Sequence, residues 1–531
     1  MLKDFIRKNI LKFGKNKRIY YFLLLFITSI SINQYYGFIG VFPIDSFLFF
    51  DSGYKALNGF FAFKDFWSPT GPLLDLIQAF FFKIFGVSWF SYVLHASTFN
   101  FLIVIATFYT LIKFELNIHF CFFYAFLLSI ISYPISGVPF IDYHSSIFSL
   151  LALFSFILSL KTKSNFFWFF IPVFLGLGFL SKQTPAAYIG LIIAFFSSIY
   201  FINNFNIKKI LLFIIGSIFI FACFIVFLFI NEISLLSFYE QYILFPLNIG
   251  ENRFQNFLFP LEFKRLILRF KLIHLSQLIL IIIIFKNISK NIKYFKTEEI
   301  LILSSIITTS LALILHQLVT LNQKFIFFII PILLGFSHIY FIKNFANKIY
   351  IIYLLIFLGI GSTVYYKFSY GDNRKFMELA NVNLENSVNA TILDTKLKNL
   401  KWINPMYPNN PEKEIKNIKN SIQFIKNDDR EKMIITQYQF ISSLMPNYTY
   451  SPSRTYTQGI SHPSKGDKLF EVYKNFFINQ IIKNDIKIIY TIKPYDNNVY
   501  SSILDKNCVQ EKKINEILKS HLILDCNILD N

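Results

Sequence analysis

Runs of about 20 apolar residues recur along this chain, and no other feature constrains its fold as much: a helix of that length crosses the roughly 30 Å hydrocarbon core of a bilayer. The start, MLKDFIRKNILKFGKNKR, is basic and precedes an apolar run from Ile19 to about Phe42. That run is too long for a signal-peptide core and lacks an A-x-A cleavage pattern, so it predicts an uncleaved first span with the N-terminus inside. Further runs lie near 88–112, 119–136, 144–160, 165–181, 186–204, 210–230, 272–286, 299–316, 323–342 and 349–366, which makes eleven expected spans. With 54% hydrophobic and 15% charged residues and a mean hydropathy of +0.50, the chain is more apolar than a soluble core of this length requires. The expectation is a polytopic membrane protein whose 69 Phe are lipid-facing or core filler.

A net charge of +20 would suggest nucleic acid in a soluble protein, but its distribution argues otherwise. From residue 366 onward there are 23 Lys and Arg against 18 Asp and Glu, leaving 28 against 13 in the apolar part. The excess therefore flanks the spans, as the positive-inside bias requires, and no pattern of aromatic and basic residues for stacking bases is present. Lys113, Lys161, Lys163, Lys208, Lys209, Lys286, Lys290, Lys293, Lys296, Lys343 and Lys348 all fall on the side of the N-terminus. That parity places the loops 43–87, 137–143, 182–185, 231–271 and 317–322, and the tail from about 367, outside. Gly71 to Gly86, GPLLDLIQAFFFKIFG, carries Asp75, Gln78 and Lys83 and is short for a span. It reads as an interfacial helix, since counting it as a span would reverse every later loop.

Two domains are expected: a membrane domain over 1–366 and a soluble domain over 367–531. The tail is polar and rich in Asn and Lys. A helix is expected at NPEKEIKNIKNSIQFIKN and strands at KMIITQY and IKIIYTI, giving a small α/β domain. Cys121 and Cys223 lie in apolar runs and read as small core residues, whereas Cys508 and Cys526 suit a disulfide if the tail is outside the cytoplasm.

Residues 42–66, FPIDSFLFFDSGYKALNGFFAFKDF, place three carboxylates in an otherwise apolar chain. Asp45 follows the first span directly, at a depth where an ionised carboxylate is costly unless solvated or paired, so it is either a functional group or an interfacial helix cap. Asp51 reads as a first-turn or solvated residue. In order and spacing this stretch resembles the GT-C glycosyltransferases, among them protein O-mannosyltransferases and lipid A aminoarabinose transferases. Those enzymes carry an Asp after the first span, then a helix containing Tyr and Ala, a Gly, and an acidic motif before a Gly-Pro-rich interfacial helix. Here Asp45 is followed by SGYKALNG, with Tyr54 and ending at Gly59, and then by FKDFWSPTGPLL with Asp65. Ser46 departs from the pattern, standing where many members have a second acidic residue. PFIDYHSSIF puts Asp142 and His144 in the second outer loop, GLGFLSKQTPAAY puts Lys182 and Gln183 at the outer end of the fifth span, and FYEQYILFPLNIGENRF puts Arg253 in the loop after the seventh.

The resemblance covers about residues 1–366. It implies a polyprenyl phosphate-linked sugar as donor, a glycan, lipid or protein outside the membrane as acceptor, and a bacterial plasma membrane as location. Such transfer needs a carboxylate to take the proton of the attacking group and cations to stabilise the departing phosphate. Asp45 suits the first task, and Lys182, Gln183 and Arg253 suit the second. Asp65, Asp142, His144 and Tyr54 are expected to shape the acceptor pocket. Asp65, Asp142 and His144 are also a set of ligand types that a divalent metal accepts. No cofactor is otherwise expected. Snorkelling is the alternative reading for Lys182, and headgroup contact for Arg253. His316 and Lys324 flank the short turn HQLVTLNQK and read as capping or interfacial residues, with donor-phosphate contact the alternative, while His95 and His338 read as hydrogen-bonded residues of the bundle. The rival functions are a lipid or glycan flippase, a glycan polymerase or ligase, and a non-catalytic assembly factor. A flippase should bury charge near mid-membrane and show repeat symmetry.

Overall fold

The computed structural model describes the chain apart from residues 1, 258–261, 291–296, 321–324, 346–348, 458, 496–497 and 525–531. Each of the eleven expected spans is helical over most of its described residues. Nine helices among the described residues are long and apolar enough to cross a membrane: Trp89–Lys113, Ile118–Ile135, Ile141–Thr162, Gln183–Asn203, Ile207–Ile230, Phe263–Ser289, Glu298–Thr320, Phe325–Asn344 and Ile349–Met377. The other two are the N-terminal helix Leu2–Gly37 and Phe166–Ser181. The latter has 16 residues, a length of about 24 Å. Ile141–Thr162 is buried along its whole apolar window and forms the axis of the bundle, whereas only 6% of the window of Ile207–Ile230 is buried, leaving its Ile and Phe side chains for lipid.

Leu73–Phe85, at 13 residues, is about 20 Å long and cannot cross. It turns Asp75 and Gln78 into the protein and leaves Phe80, Ile84 and Phe85 exposed, as the interfacial assignment requires. Between it and the first long helix lie Pro43–Ser46 and Leu48–Leu57. Two glycines permit close approaches at this end of the bundle. A Cβ on Gly71 would sit 1.7 Å from the Leu180 carbonyl oxygen, and one on Gly37 would sit 2.6 Å from that of Gly137.

The C-terminal part contains β1 (Val388–Asn389) paired with β2 (Lys401–Trp402), then β3 (Lys432–Thr436), β4 (Ile488–Ile492), β5 (Val509–Lys513) and β6 (Leu518–Ile523). The larger sheet has the order β3-β4-β6-β5, with β3 parallel to β4 and the other pairs antiparallel. Its crossover carries the helix Phe470–Lys483. The helix Pro411–Lys426 starts where Asn410 accepts a hydrogen bond from the Lys413 backbone N–H at 3.0 Å. The expected strands and helix of the tail are present, and the β5–β6 hairpin adds to them. Cys121 and Cys223 are free. Cys508 lies in a disulfide, and Cys526 falls outside the described residues.

This domain is sewn onto the loop that follows the first helix. Backbone amides of Gly40 and Val41 donate to the carbonyls of Lys401 and Ile403 at 2.9 Å, and the Trp67 amide donates to Pro452 at 2.9 Å. The bundle end that bears Asp45 is therefore the end that bears the sheet domain.

Candidate functional site

Asp45 occupies the one-turn helix Pro43–Ser46, which Pro43 starts by fixing φ where no amide donor is needed. Its side chain is half-buried and, among the described residues, has no hydrogen-bond or ion-pair partner. Burial and the facing carboxylates of Asp142 and Glu378 push the Asp45 carboxyl up to about 7, against the pull of Lys182.

Asp142 stands in the first turn of Ile141–Thr162, where the helix dipole favours a negative charge. One of its oxygens, Oδ1, accepts from Lys182 Nζ at 2.7 Å and from His316 Nε2 at 2.7 Å. With Asp142 ionised, that second contact puts the imidazole proton on Nε2. Lys182 is held in the extended break between Phe166–Ser181 and Gln183–Asn203 (φ −155°, ψ 140°), and its carbonyl accepts from Ser145 Oγ at 3.0 Å. Arg253, in Phe245–Phe257, closes the group: that helix packs on Glu298–Thr320, which carries His316. Burial draws the half-buried Arg253 guanidinium down from its ordinary value and the Asp142 carboxylate opposes the shift. Among the described residues it has no hydrogen-bonded partner.

Asp45, Asp142, Lys182 and Arg253, separated by up to 208 positions in the sequence, thus share one neighbourhood. Lys182 does not stand free for a ligand, however, because Asp142 balances its charge. Gln183 is a tie between loops: its Nε2 donates to the carbonyls of Pro69 at 3.0 Å and Tyr242 at 2.6 Å.

The remaining expected site residues lie elsewhere. Asp65 accepts from the Phe61 amide at 2.8 Å and faces Lys483 at 3.7 Å, so it braces a turn in which Phe63 has φ 74°. Tyr54 lies under Lys396, whose Nζ is 5.9 Å from its ring centroid. His144 belongs to a buried chain, with Gln78 Oε1 to His95 Nδ1 at 2.9 Å, His95 Nε2 to His144 Nε2 at 2.9 Å, and Tyr133 OH on His144 Nδ1. Both His144 nitrogens are thereby engaged and Asp65 is held apart, so Asp65, Asp142 and His144 do not converge on a metal. No cluster of three or more His, Cys, Asp and Glu suited to a metal occurs among the described residues. Asp51 is buried rather than solvated, paired with Lys55 at 2.7 Å and bonded by Ser442 Oγ. His338 bonds Tyr124 at 3.1 Å, and Lys324 falls outside the described residues.

Several residues carry the site without having been singled out. Glu378 faces Asp45 from the segment just after the last long helix. Arg374, buried, donates to the backbone carbonyls of Ile39, Pro134, Ile135 and Ser136 at 2.9–3.2 Å, locking the start of the first loop to the second. Arg454 reaches from the sheet domain to Asp75 and to Thr70 Oγ1 at 2.9 Å, while Ser52 Oγ donates to Asp75 at 2.6 Å. Neither a Cys/His spacing nor one of the loop motifs includes Arg374, Glu378 or Arg454. For these residues neither the loop motifs nor charge in an apolar context gave a signal in the sequence, since Arg374 and Glu378 lie where the chain turns polar.

No protein-family model matches the chain, and no curated protein matches it. Among solved structures it is similar to the archaeal oligosaccharyltransferase AglB from Archaeoglobus fulgidus, determined in complex with an inhibitory peptide and a dolichol-phosphate. The match has 10% identity and a TM-score of 0.41, over 90% of this chain and 70% of that one. So distant a likeness says nothing of this chain's chemistry.

Proposed function

We propose that the protein is a membrane glycosyltransferase that moves a sugar from a polyprenyl phosphate carrier to an acceptor outside the cytoplasm, with the Asp45 end of the bundle facing out. The observation that carries this reading is Asp45 itself: a half-buried carboxylate without a partner among the described residues, its pKa raised to about 7, in the neighbourhood of Asp142, which the Arg253 guanidinium also faces. A general base works best with a pKa near the operating pH.

In the proposed reaction the acceptor oxygen or nitrogen attacks the anomeric carbon, the bond from that carbon to the phosphate oxygen breaks, and the acceptor's proton passes to Asp45. Polyprenyl phosphate leaves with the bonding electrons. Arg253 offers the planar fork that grips phosphate through two parallel bonds, and among the described residues no carboxylate is hydrogen-bonded to it. Asp142, clamped by Lys182 and His316, positions the cationic side and keeps the Asp45 carboxyl basic. The gathering of charge at one end of the bundle favours this over carriage across the membrane, which needs charged groups along the path.

The test is transfer of radiolabelled sugar in membranes from a panel of polyprenyl phosphate sugars, comparing wild type with Asp45→Asn at matched protein level. Transfer that depends on Asp45 supports the assignment and identifies the donor. Transfer that survives the substitution removes Asp45 as base, and no transfer from any donor with a working positive control refutes the class.

A further inference from the structure

Glu378, whose carboxylate acts on Asp45, also lines a cleft of 290 Å³. It is lined by Arg269, Tyr365, Tyr366, Ser369, Tyr370, Lys375 and Glu378. It sits where the helix Ile349–Tyr366 ends beside the turn Leu268–Phe270. Leu268, Tyr365 and Phe368 are exposed around it, on segments that begin or end spanning helices, so its rim belongs to the lipid side of the bundle.

Its cations are not spent internally. Among the described residues Arg269 has no hydrogen-bonded or ionic partner, and Lys375 stands only over the Tyr370 ring, 5.8 Å from its centroid. The inner wall is held in a strained turn. Arg374 and Glu378 have φ of 45° and 57°, a left-handed conformation that side-chain-bearing residues rarely adopt. The turn is kept by the carbonyl contacts of Arg374 and by Ser46 Oγ, which lies 3.4 Å from Met377 Sδ. Glu378 is thus one residue, and Lys375 two, from a contact that reaches Ser46, the neighbour of Asp45.

We propose that this cleft is a binding site for the phosphate headgroup of a lipid, separate from the Arg253 side of the Asp45 site. Arg269 supplies a bidentate grip, Lys375 a point charge, and the Tyr and Ser369 hydroxyls further donors. Tyrosines and cations at the ends of spanning helices sit at headgroup level. A volume of this size takes a headgroup and not a whole lipid, so the acyl or prenyl chains lie along the exposed apolar rim. The Glu378 carboxylate on the cleft wall disfavours a second anion there. This goes beyond the transferase reading, because it assigns a second phosphate position and does not depend on transfer.

The experiment is equilibrium binding to the full-length protein in detergent, with three probes: a short-chain polyprenyl monophosphate, a short-chain phosphatidic acid and inorganic phosphate. Each is titrated into the Arg253→Gln background, so that the other phosphate position is silent, with and without Arg269→Gln/Lys375→Gln. Saturable lipid binding that weakens tenfold or more in the variant supports the site. Preference for the prenyl probe then points to a carrier lipid, and preference for phosphatidic acid to a phosphorylated glycerolipid. Arg269→Lys, which keeps charge but loses the fork, should weaken binding by an intermediate factor. Equal binding with and without the two cations, or inorganic phosphate binding as tightly as either lipid, overturns the proposal. Both cations are exposed, so the variants are expected to fold. Because transfer is not read, failure of the transferase reading would leave this result standing, and the converse holds too.

Discussion

Asp45→Asn should separate function from stability in a pH-dependent way. The carboxyl rises from an ordinary 3.8 to about 7 in the folded protein, chiefly through burial and then through Asp142 and Glu378. Below pH 3.8 both states are protonated and the group is neutral to stability. Between 3.8 and 7 the unfolded chain releases its proton while the folded chain keeps it, so stability falls as pH rises and levels off above the folded pKa. At about 1.4 kcal/mol per pH unit the full loss is at most about 4 kcal/mol, and partial solvent contact trims it to roughly 2–4 kcal/mol. Asparagine has nearly the same volume and no charge, so it escapes that loss. For a chain of 531 residues, an unfolding entropy of roughly 1 kcal/mol/K converts this to a Tm gain of about 2–4 °C. The gain should be near zero at pH 4, widen toward pH 7 and stay constant above about pH 8. The assay is thermal unfolding of wild type and variant in the same detergent across that range, alongside transfer, which should drop about 10²–10⁴-fold. A variant destabilised at every pH, or one with equal loss of expression and transfer, would refute the reasoning and make Asp45 a structural carboxylate.

Other substitutions probe the supports of the site. Transfer by the wild type should rise with pH with a midpoint near 7, and Glu378→Gln should move that midpoint down by less than about one pH unit, since Glu378 ranks behind burial and Asp142 among the causes; a pH–rate profile that does not move or moves up counts against the pairing. Arg454→Met leaves Asp75 buried without its counter-charge and should cost about 3–5 kcal/mol, read as earlier release of the sheet domain in limited proteolysis. Gly71→Ala places a Cβ 1.7 Å from a backbone oxygen and should undock the first loop, abolishing transfer. Gly59→Ala, at φ 84° with open space around it, should cost only about 1 kcal/mol and serves as the control in the same transfer assay.

What was legible in the sequence divides by the range of the physics involved. Spanning helices announce themselves through length and apolarity, and Leu73–Phe85 through the Asp75 and Gln78 that it turns inward, because burial of backbone and side chain in lipid is settled locally. Asp45, Asp142, Lys182 and Arg253 stood out because charge in an apolar setting needs a reason. How they pair was not legible. Asp142 meets Lys182 and His316 across 40 and 174 positions of sequence, and only the packing of three helices sets that geometry. His316 therefore read as a capping residue and turned out to be a buried partner of Asp142. Asp65 matched a spacing but serves a turn, since a carboxylate four residues from a free amide is satisfied without any site. The strand Val509–Lys513, with Gln510, Glu511, Lys512 and Lys513, lacks apolar alternation because it is the edge of its sheet, where charge protects against further pairing.

The sheet domain is more than an appendage to the bundle in this arrangement. Asp51 and Asp75, the buried acids of the first loop, are both satisfied by residues from the tail, Ser442 and Arg454, while Asp45 has no such partner among the described residues. A chain that covers two carboxylates with its last third, and locks the loop bearing the third through Arg374, holds that third carboxylate in a fixed place without neutralising it. Rigid support around a deliberately unpaired group is what a base requires, because its proton affinity is then set by burial and neighbouring charge and not by a bond that the reaction must first break. If the tail does this work, Ser442→Ala/Arg454→Met should leave the bundle inserted in the membrane yet shift the pH midpoint of transfer, whereas loss of a mere appendage would leave that midpoint where it was.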